Sequence, residues 1–236
     1  MAASPDETVN QSMKRENKFL FRNISLQAFI FLFLFLAAII VFTWLAHEVV
    51  GENEEGFDNR VFVFLKAHSS PATIGFFKFI TFFGSTYFVI AAYMLLIGYL
   101  VHRHRNTDAI DIAIIAATSF ALMGLLKQYF ARHRPPLPLF TPLTNYSFPS
   151  GHAVGSFILC AVLIYLVRKS HLNKTWKWLL SGLFILLCVL VGISRIVLRY
   201  HYATDVIAGF CIAFAWLFFS LWLQRKFRKK TTVNSA

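Results

Sequence analysis

No feature of this chain restricts its fold more than the run Phe29-Ile30-Phe31-Leu32-Phe33-Leu34-Phe35-Leu36, in which neither a period of two nor a polar face is visible. A segment that is apolar on every side needs an apolar solvent. A span of the bilayer takes roughly 20 such residues, and five segments supply them: Leu26–Ala46, Thr86–Val101, Ile110–Phe130, Trp176–Val197 and Ala203–Leu223. A sixth, Ala153–Val167, becomes long enough if Ser150-Gly151-His152 opens the same helix. The second span is short and has room to extend upstream. Between the first two spans lie Val61–Leu65 and Ile74–Phe83, interrupted by Pro71, Gly75, Lys78 and Gly84. These stretches suit interfacial or re-entrant helices. The expected fold is therefore all-α: a polytopic membrane protein of six transmembrane helices with one or two short interfacial helices between the first and second spans.

A hydrophobic content of 57% leaves too little polar surface for a soluble globule. The polar stretch before the first span lacks a small-residue cleavage site behind the apolar run, so that span reads as an anchor within the mature fold. The expected organisation is a cytoplasmic tail over 1–23, a membrane domain over 24–224 and a basic cytoplasmic tail over 225–236. The formal charge of +12 does not point to nucleic acid, because the cations cluster at the ends of apolar segments rather than along one face. On one side fall Lys14, Arg15, Lys18 and Arg22; Arg103 and Arg105; Arg168, Lys169, Lys174 and Lys177; and Arg225 to Lys230. By the positive-inside rule that side is cytoplasmic. The opposite side carries the acidic loop Glu48, Glu52, Glu54, Glu55 and Asp58. Cys160, Cys188 and Cys211 each sit within an apolar run and form no C-x-x-C, so neither a disulfide nor a thiolate metal site is expected.

Three polar strings interrupt the apolar chain, and six spans bring all three to the outer membrane surface. The first is KQYFARHRP, Lys127 to Pro135, at the end of the third span. Lys127 and Arg134 lie seven residues apart, two helical turns, which predicts that both project from one helical face and grip one anion. The alternative is that they snorkel to the interface. The second string is Pro149-Ser150-Gly151-His152, before the fourth span. Its backbone N–H groups leave a helix N-terminus, an end that attracts phosphate. Gly151 permits close approach, Ser150 offers a hydroxyl, and His152 stands where a proton must be supplied. The same residues also make an ordinary helix cap.

The third string is SRIVLRYHYATD, Ser194 to Asp205. If the last helix starts near His201, then His201 and Asp205, four apart, share a face. The carboxylate would hold one ring nitrogen and leave the other free as a nucleophile. A structural hydrogen bond or half of a metal site fits the spacing equally. Arg195 is out of helical register with His201, so the chain must turn between them, and Arg195 then reaches back as a further phosphate ligand. Arg132 and Arg199 are expected to be solvated loop residues. A pocket holding Lys127, Arg134 and Arg195 repels a metal cation and attracts an anion. No metal and no cofactor is expected, and no Gly-rich nucleotide loop is present.

The patterns K-x6-R-P, P-S-G-H and S-R-x5-H-x3-D are together similar to the three signatures of the type 2 phosphatidic acid phosphatases, without departure at the defining positions over Lys127–Asp205. The six-span count also resembles the bacterial phosphatidylglycerophosphate phosphatases of that family. The resemblance implies that His201 is the nucleophile, Asp205 its orienting carboxylate and His152 the general acid. It implies that Lys127, Arg134, Ser150, Gly151 and Arg195 bind phosphate. It further implies a metal-independent phosphatase acting through a phosphohistidine, with phosphatidylglycerophosphate as the first substrate to consider and phosphatidylglycerol as product. Undecaprenyl diphosphate, phosphatidic acid and diacylglycerol diphosphate are the competing substrates. A lipid phosphotransferase and an anion or lipid transporter are the competing classes. The expected partner is a lipid phosphate within the bilayer, with no obligate protein partner, and the expected location is the plasma or inner membrane, with both termini cytoplasmic and the site on the extracytoplasmic face.

Overall fold

The computed structural model describes residues 26, 28–48, 56–139, 141 and 143–234, with side chains as far as residue 227. The cations at 14, 15, 18 and 22, the acids at 52, 54 and 55, and the side chains of 228–230, counted above for topology, lie outside the described residues. The described residues form eight helices: α1 (Ala28–Ala46), α2 (Gly56–His68), α3 (Pro71–Phe82), α4 (Thr86–His102), α5 (Asn106–Phe130), α6 (Gly151–Lys169), α7 (Lys174–Val197) and α8 (Ala203–Asn234). Among the described residues there is no strand. Five of these helices are long and apolar enough to cross a membrane, and α3 and α4, which meet at a 42° bend across a short break, together form a broken sixth span or a re-entrant loop. Helix α3 thus meets both expectations for this stretch, an upstream extension of the second span and a re-entrant segment, because its bend against α4 fits either. The protein is a multi-pass membrane protein.

Local chemistry sets most helix ends. Ser70, Ser85, Ser150 and Asn173 each accept a hydrogen bond from the backbone N–H three residues on, satisfying one orphan donor at the start of α3, α4, α6 and α7. Pro71 stands at the first position of α3, where its missing N–H costs nothing. Helix α5 stops at Ala131, which adopts a left-handed conformation (φ 48°) and returns its N–H to the Lys127 carbonyl.

Helix α6 is the centre of the bundle. Leu159 and Val162 pack with Val89, Tyr93 and Leu100 of α4 and with Ala109, Ile112 and Ala116 of α5. On another face Val154 and Ile158 meet Ile115 and Met123 of α5 and Ala213 of α8. Small residues bring backbones close there: a Cβ on Gly209 would lie 3.0 Å from both Ala153 Cβ and the Ser150 carbonyl. Helix α1 lies at the periphery, with most of its residues exposed or half-buried. Its Phe42 nonetheless packs edge-on against Phe130 and beside Phe148. At one end of the bundle Asp108 pairs with Arg105 at 2.7 Å and Lys169 at 3.4 Å. The α4–α5 turn and the end of α6 therefore meet at one membrane surface, and the three polar strings gather at the other.

Candidate active site

The end of α7 builds the site first. After Val197 the chain reverses through Leu198 and Arg199, the latter left-handed at φ 56°, and the N–H groups of Tyr200 and His201 both return to the Arg195 carbonyl, at 2.9 and 3.1 Å. This turn, required by the spacing of Arg195 and His201, delivers both side chains to one place. Helix α8 begins at Ala203, two residues after His201. The pair His201 and Asp205 therefore does not share a helical face as expected; His201 sits in the turn and folds back. The contact still forms, with His201 Nδ1 3.3 Å from Asp205 Oδ2. An ionised carboxylate only accepts, so Nδ1 carries the proton and Nε2 presents its lone pair. That lone pair faces Arg134, whose guanidinium Nη1 lies 3.3 Å away.

Arg134 is likewise placed differently from the helical-face expectation. Because α5 ends at Phe130, Arg134 lies in the loop beyond it and reaches the site from there. It donates to the Asn145 carbonyl at 2.7 Å, to Asn145 Oδ1 at 2.7 Å and to the Tyr200 carbonyl at 2.6 Å. Lys127, still in the last turn of α5, donates to the Tyr146 carbonyl at 2.5 Å. Arg195 rests over the Tyr200 ring at 4.1 Å and donates to Thr81 of α3 at 2.6 Å. Its Nε is buried and finds no hydrogen-bond partner among the described residues. A buried, unpaired donor on a cation is costly unless an anion fills it.

Lys127, Arg134 and Arg195 line a single cavity of about 300 Å³ together with Gly151, His152, Asn145 and His201. Its other wall, Thr86 and Tyr93 of α4 with Phe120 and Met123 of α5, is largely apolar. Ser150 does not line it. Fully buried, its hydroxyl caps α6 by accepting from Ala153 N–H, while its own N–H donates to the Asp205 carbonyl at 3.0 Å. The helix-cap reading of P-S-G-H thus holds for Ser150, and Gly151 and His152 are the members of that string at the cavity. Burial, the largest effect, and then the Arg134 and Arg195 cations hold the His201 imidazole well below its ordinary pKa. The ring is neutral, as a nucleophile must be. Burial also lowers the affinity of Arg134 for its proton. Among the described residues no three His, Cys, Asp or Glu side chains gather where they could hold a metal ion.

Three charged residues lie elsewhere than expected. Arg132, expected in solvent, is 8% exposed and donates to Asp205 Oδ1 at 2.6 Å and to Asp58 Oδ2 at 3.1 Å. Asp58, grouped with the acidic outer loop, is 1% exposed. Neither has a signal in the sequence beyond the presence of a charge near a helix end. Arg199 is half-buried, with its guanidinium 5.3 Å over Phe62, and it too is not a free loop residue.

An all-helical membrane bundle holding a histidine–carboxylate pair in a cup of cations defines a membrane protein built to meet an oxyanion. The pattern of the PAP2 superfamily matches residues 108–229, more than half of the chain, and the chain belongs to that superfamily of membrane phosphatases. It is 26% identical over 155 residues to phosphatidylglycerophosphatase B of Bacillus subtilis, across 64% of this chain and 74% of that protein. It is 29% identical over 175 residues to the undecaprenyl-diphosphatase of Sulfolobus acidocaldarius, across 72% and 79%. The crystal structure of a transmembrane PAP2-type phosphatidylglycerolphosphate phosphatase from Bacillus subtilis has the same fold, with a TM-score of 0.74 at 22% identity over 81% of this chain and 96% of the other.

Proposed function

We propose that the protein dephosphorylates a membrane lipid without a metal ion, through a phosphohistidine on His201. The observation that carries this reading is the His201 ring itself: Nδ1 tied to Asp205, and Nε2 turned to Arg134 in a cavity lined by three cations. When a phosphate enters, the Arg134 guanidinium exchanges its contact with Nε2 for the phosphate oxygens. Nε2 then attacks phosphorus in line, forming the N–P bond as the P–O bond to the lipid breaks. His152 gives its proton to the departing alkoxide, and afterwards takes one from the water that hydrolyses the N–P bond. Asp205 balances the positive ring throughout. Lys127, Arg134, Arg195 and the N–H groups of Gly151 and His152, which have no acceptor within the helix, stabilise the equatorial oxygens. Metal independence rests on this charge balance, since a second set of cations has no place among three fixed ones. Ser150 contributes by setting the start of α6 rather than by touching phosphate.

The apolar wall of the cavity between α4 and α5 suits a lipid whose chains stay in the bilayer while its phosphate enters sideways. Phosphatidylglycerophosphate, converted to phosphatidylglycerol, is the first substrate to test, in keeping with the Bacillus subtilis relative. Undecaprenyl diphosphate is the second, in keeping with the Sulfolobus acidocaldarius relative. The site faces the extracytoplasmic side and both termini the cytoplasm, because Arg103, Arg105, Arg168, Lys169, Lys174 and Lys177 cluster at the opposite end. Purified protein in detergent, with chelator present, is expected to release phosphate from at least one of phosphatidylglycerophosphate, phosphatidic acid, diacylglycerol diphosphate and undecaprenyl diphosphate. His201→Ala is expected to remain folded and lose all turnover and phosphoenzyme. Phosphate release by that variant, or a requirement of the wild type for Mg²⁺, overturns the mechanism. Phosphoryl transfer to an added lipid or sugar acceptor in place of water identifies a transferase instead.

A further inference from the structure

Behind the nucleophile, on the side away from the cavity, lies a second layer of charge that the reaction as drawn does not use. Arg132 is clamped between two buried carboxylates. Its Nη1 donates to Asp205 Oδ1 at 2.6 Å and to Thr204 Oγ1 at 3.0 Å, and its Nη2 donates to Asp58 Oδ2 at 3.1 Å. The flat face of the guanidinium rests on the Tyr202 ring at 3.9 Å, and Tyr202 packs in turn beside Phe62 of α2. Asp58 does more than pair. Its Oδ1 accepts the Thr204 N–H at 3.0 Å and its Oδ2 accepts the Thr204 hydroxyl at 2.6 Å, so a carboxylate from α2 caps the first turn of α8. Asp205 stands in that same turn, its Oδ2 accepting the Tyr202 N–H at 3.0 Å beside the His201 contact.

Charge and geometry decide what such a chain can do. Asp205 offers two oxygens. With Oδ1 held by Arg132, the carboxylate cannot rotate, and Oδ2 is left at a fixed distance from His201 Nδ1. Arg132 alone, however, would form a closed pair with Asp205 and draw its negative charge away from the ring. Asp58 supplies a second anion to the same guanidinium, so the buried cluster of Asp58, Arg132 and Asp205 keeps one net negative charge to set against the ring when Nε2 acquires phosphorus. Burial strengthens each of these effects, because no water screens them. All three side chains are nearly or wholly excluded from solvent.

We propose that Asp58 and Arg132 are positioning residues for the reaction: α2, which lies outside the segment matched by the superfamily pattern, orients and electrostatically tunes the His201–Asp205 pair through Arg132. The inference rests on the phosphohistidine reading above. Its signature is a loss in kcat with little change in KM, since neither residue lines the cavity that receives the lipid phosphate.

The test uses the full-length protein in detergent, with whichever lipid phosphate the wild type hydrolyses. Asp58→Asn keeps an oxygen for the Thr204 cap and removes the charge. Arg132→Lys keeps a cation that cannot span both carboxylates. Each is expected to lower kcat and the single-turnover rate of phosphoenzyme formation by about tenfold to a hundredfold, the size of effect that outer partners of metal-binding histidines have, with KM within about threefold. The double variant Asp58→Asn/Arg132→Lys is expected to be no slower than Arg132→Lys alone, because Asp58 acts through Arg132. Wild-type kcat in the folded Asp58→Asn protein overturns the proposal. So do effects that multiply in the double variant, a loss that falls on KM, or the failure of both single variants to fold, which would make the pair a building element only. An inactive wild type removes the underlying reading instead, and the two failures are therefore distinguishable.

Discussion

Gly84 occupies the break between α3 and α4, and replacing it with alanine tests whether that break positions His152. The added Cβ would stand 2.4 Å from Val191 Cγ1, and 3.1 and 3.3 Å from the Cδ2 and Cβ of His152. Ordinary carbon contacts lie at about 3.5–4.0 Å, so the Val191 contact falls short by more than about 1 Å. Val191 is wholly buried and has nowhere to go. The strain must be relieved by moving the break away from α6 and α7, or by moving His152. Overpacking of this kind costs about 1–3 kcal/mol, offset by about 0.4–1 kcal/mol because alanine restricts the unfolded chain more than glycine. A net loss of about 0.5–2 kcal/mol is expected. The catalytic effect is larger than that stability change suggests, because misplacing a reacting group by about 1 Å lowers a rate by about a hundredfold. Gly84→Ala is therefore expected to reduce kcat by about tenfold to a hundredfold while the protein stays folded. Gly75→Ala is the control: it lies within α3, nothing stands within 4 Å of its Cβ, and it is expected to leave kcat unchanged and raise helix stability by up to about 1 kcal/mol. Phosphate release and thermal unfolding in the same detergent give both quantities. Wild-type kcat in Gly84→Ala would show that His152 does not depend on this packing.

The neutral His201 ring has a pH signature. Its pKa is depressed in the folded protein, so it releases its proton more readily there than in the unfolded chain, where about 6.5 is normal. Its contribution to stability is therefore fully present above about pH 6.5 and is lost as pH falls below it, by at most about 1.4 kcal/mol per unit, until the folded ring itself protonates. Histidine-selective NMR is expected to find the His201 resonances, assigned by their loss in His201→Ala, unchanged through pH 6.5; an ordinary titration there contradicts the burial argument. Topology is checked by single cysteines at Leu137, in the exposed loop after α5, and Leu172, in the exposed loop after α6. An impermeant thiol reagent added to intact cells is expected to label the first and not the second. The reverse pattern turns the whole site to the cytoplasm.

Two kinds of information separate here. The spans were legible in one dimension, because the length of an apolar run has only to match the thickness of the bilayer. The meeting of Lys127, Gly151, His152, Arg195 and His201 was legible too, because two crossings separate the loop after the third span from the turn between the fifth and sixth, and two crossings return the chain to the same surface. Local register was less so: the two-turn spacing of Lys127 and Arg134 suggested one helical face, but Ala131 breaks the helix, and Arg134 arrives from the loop. The four-residue spacing of His201 and Asp205 suggested another shared face, but α8 starts only at Ala203. Ser150 read as a phosphate ligand and is a cap, since a hydroxyl before a helix serves either purpose and only its burial decides. What the sequence had no means of determining is the pairing of Asp58 with Arg132, 74 residues away. Both looked like ordinary surface charges. Whether a charge is solvated or clamped depends on which helix packs over it, and α2 covers this one only when the bundle has closed.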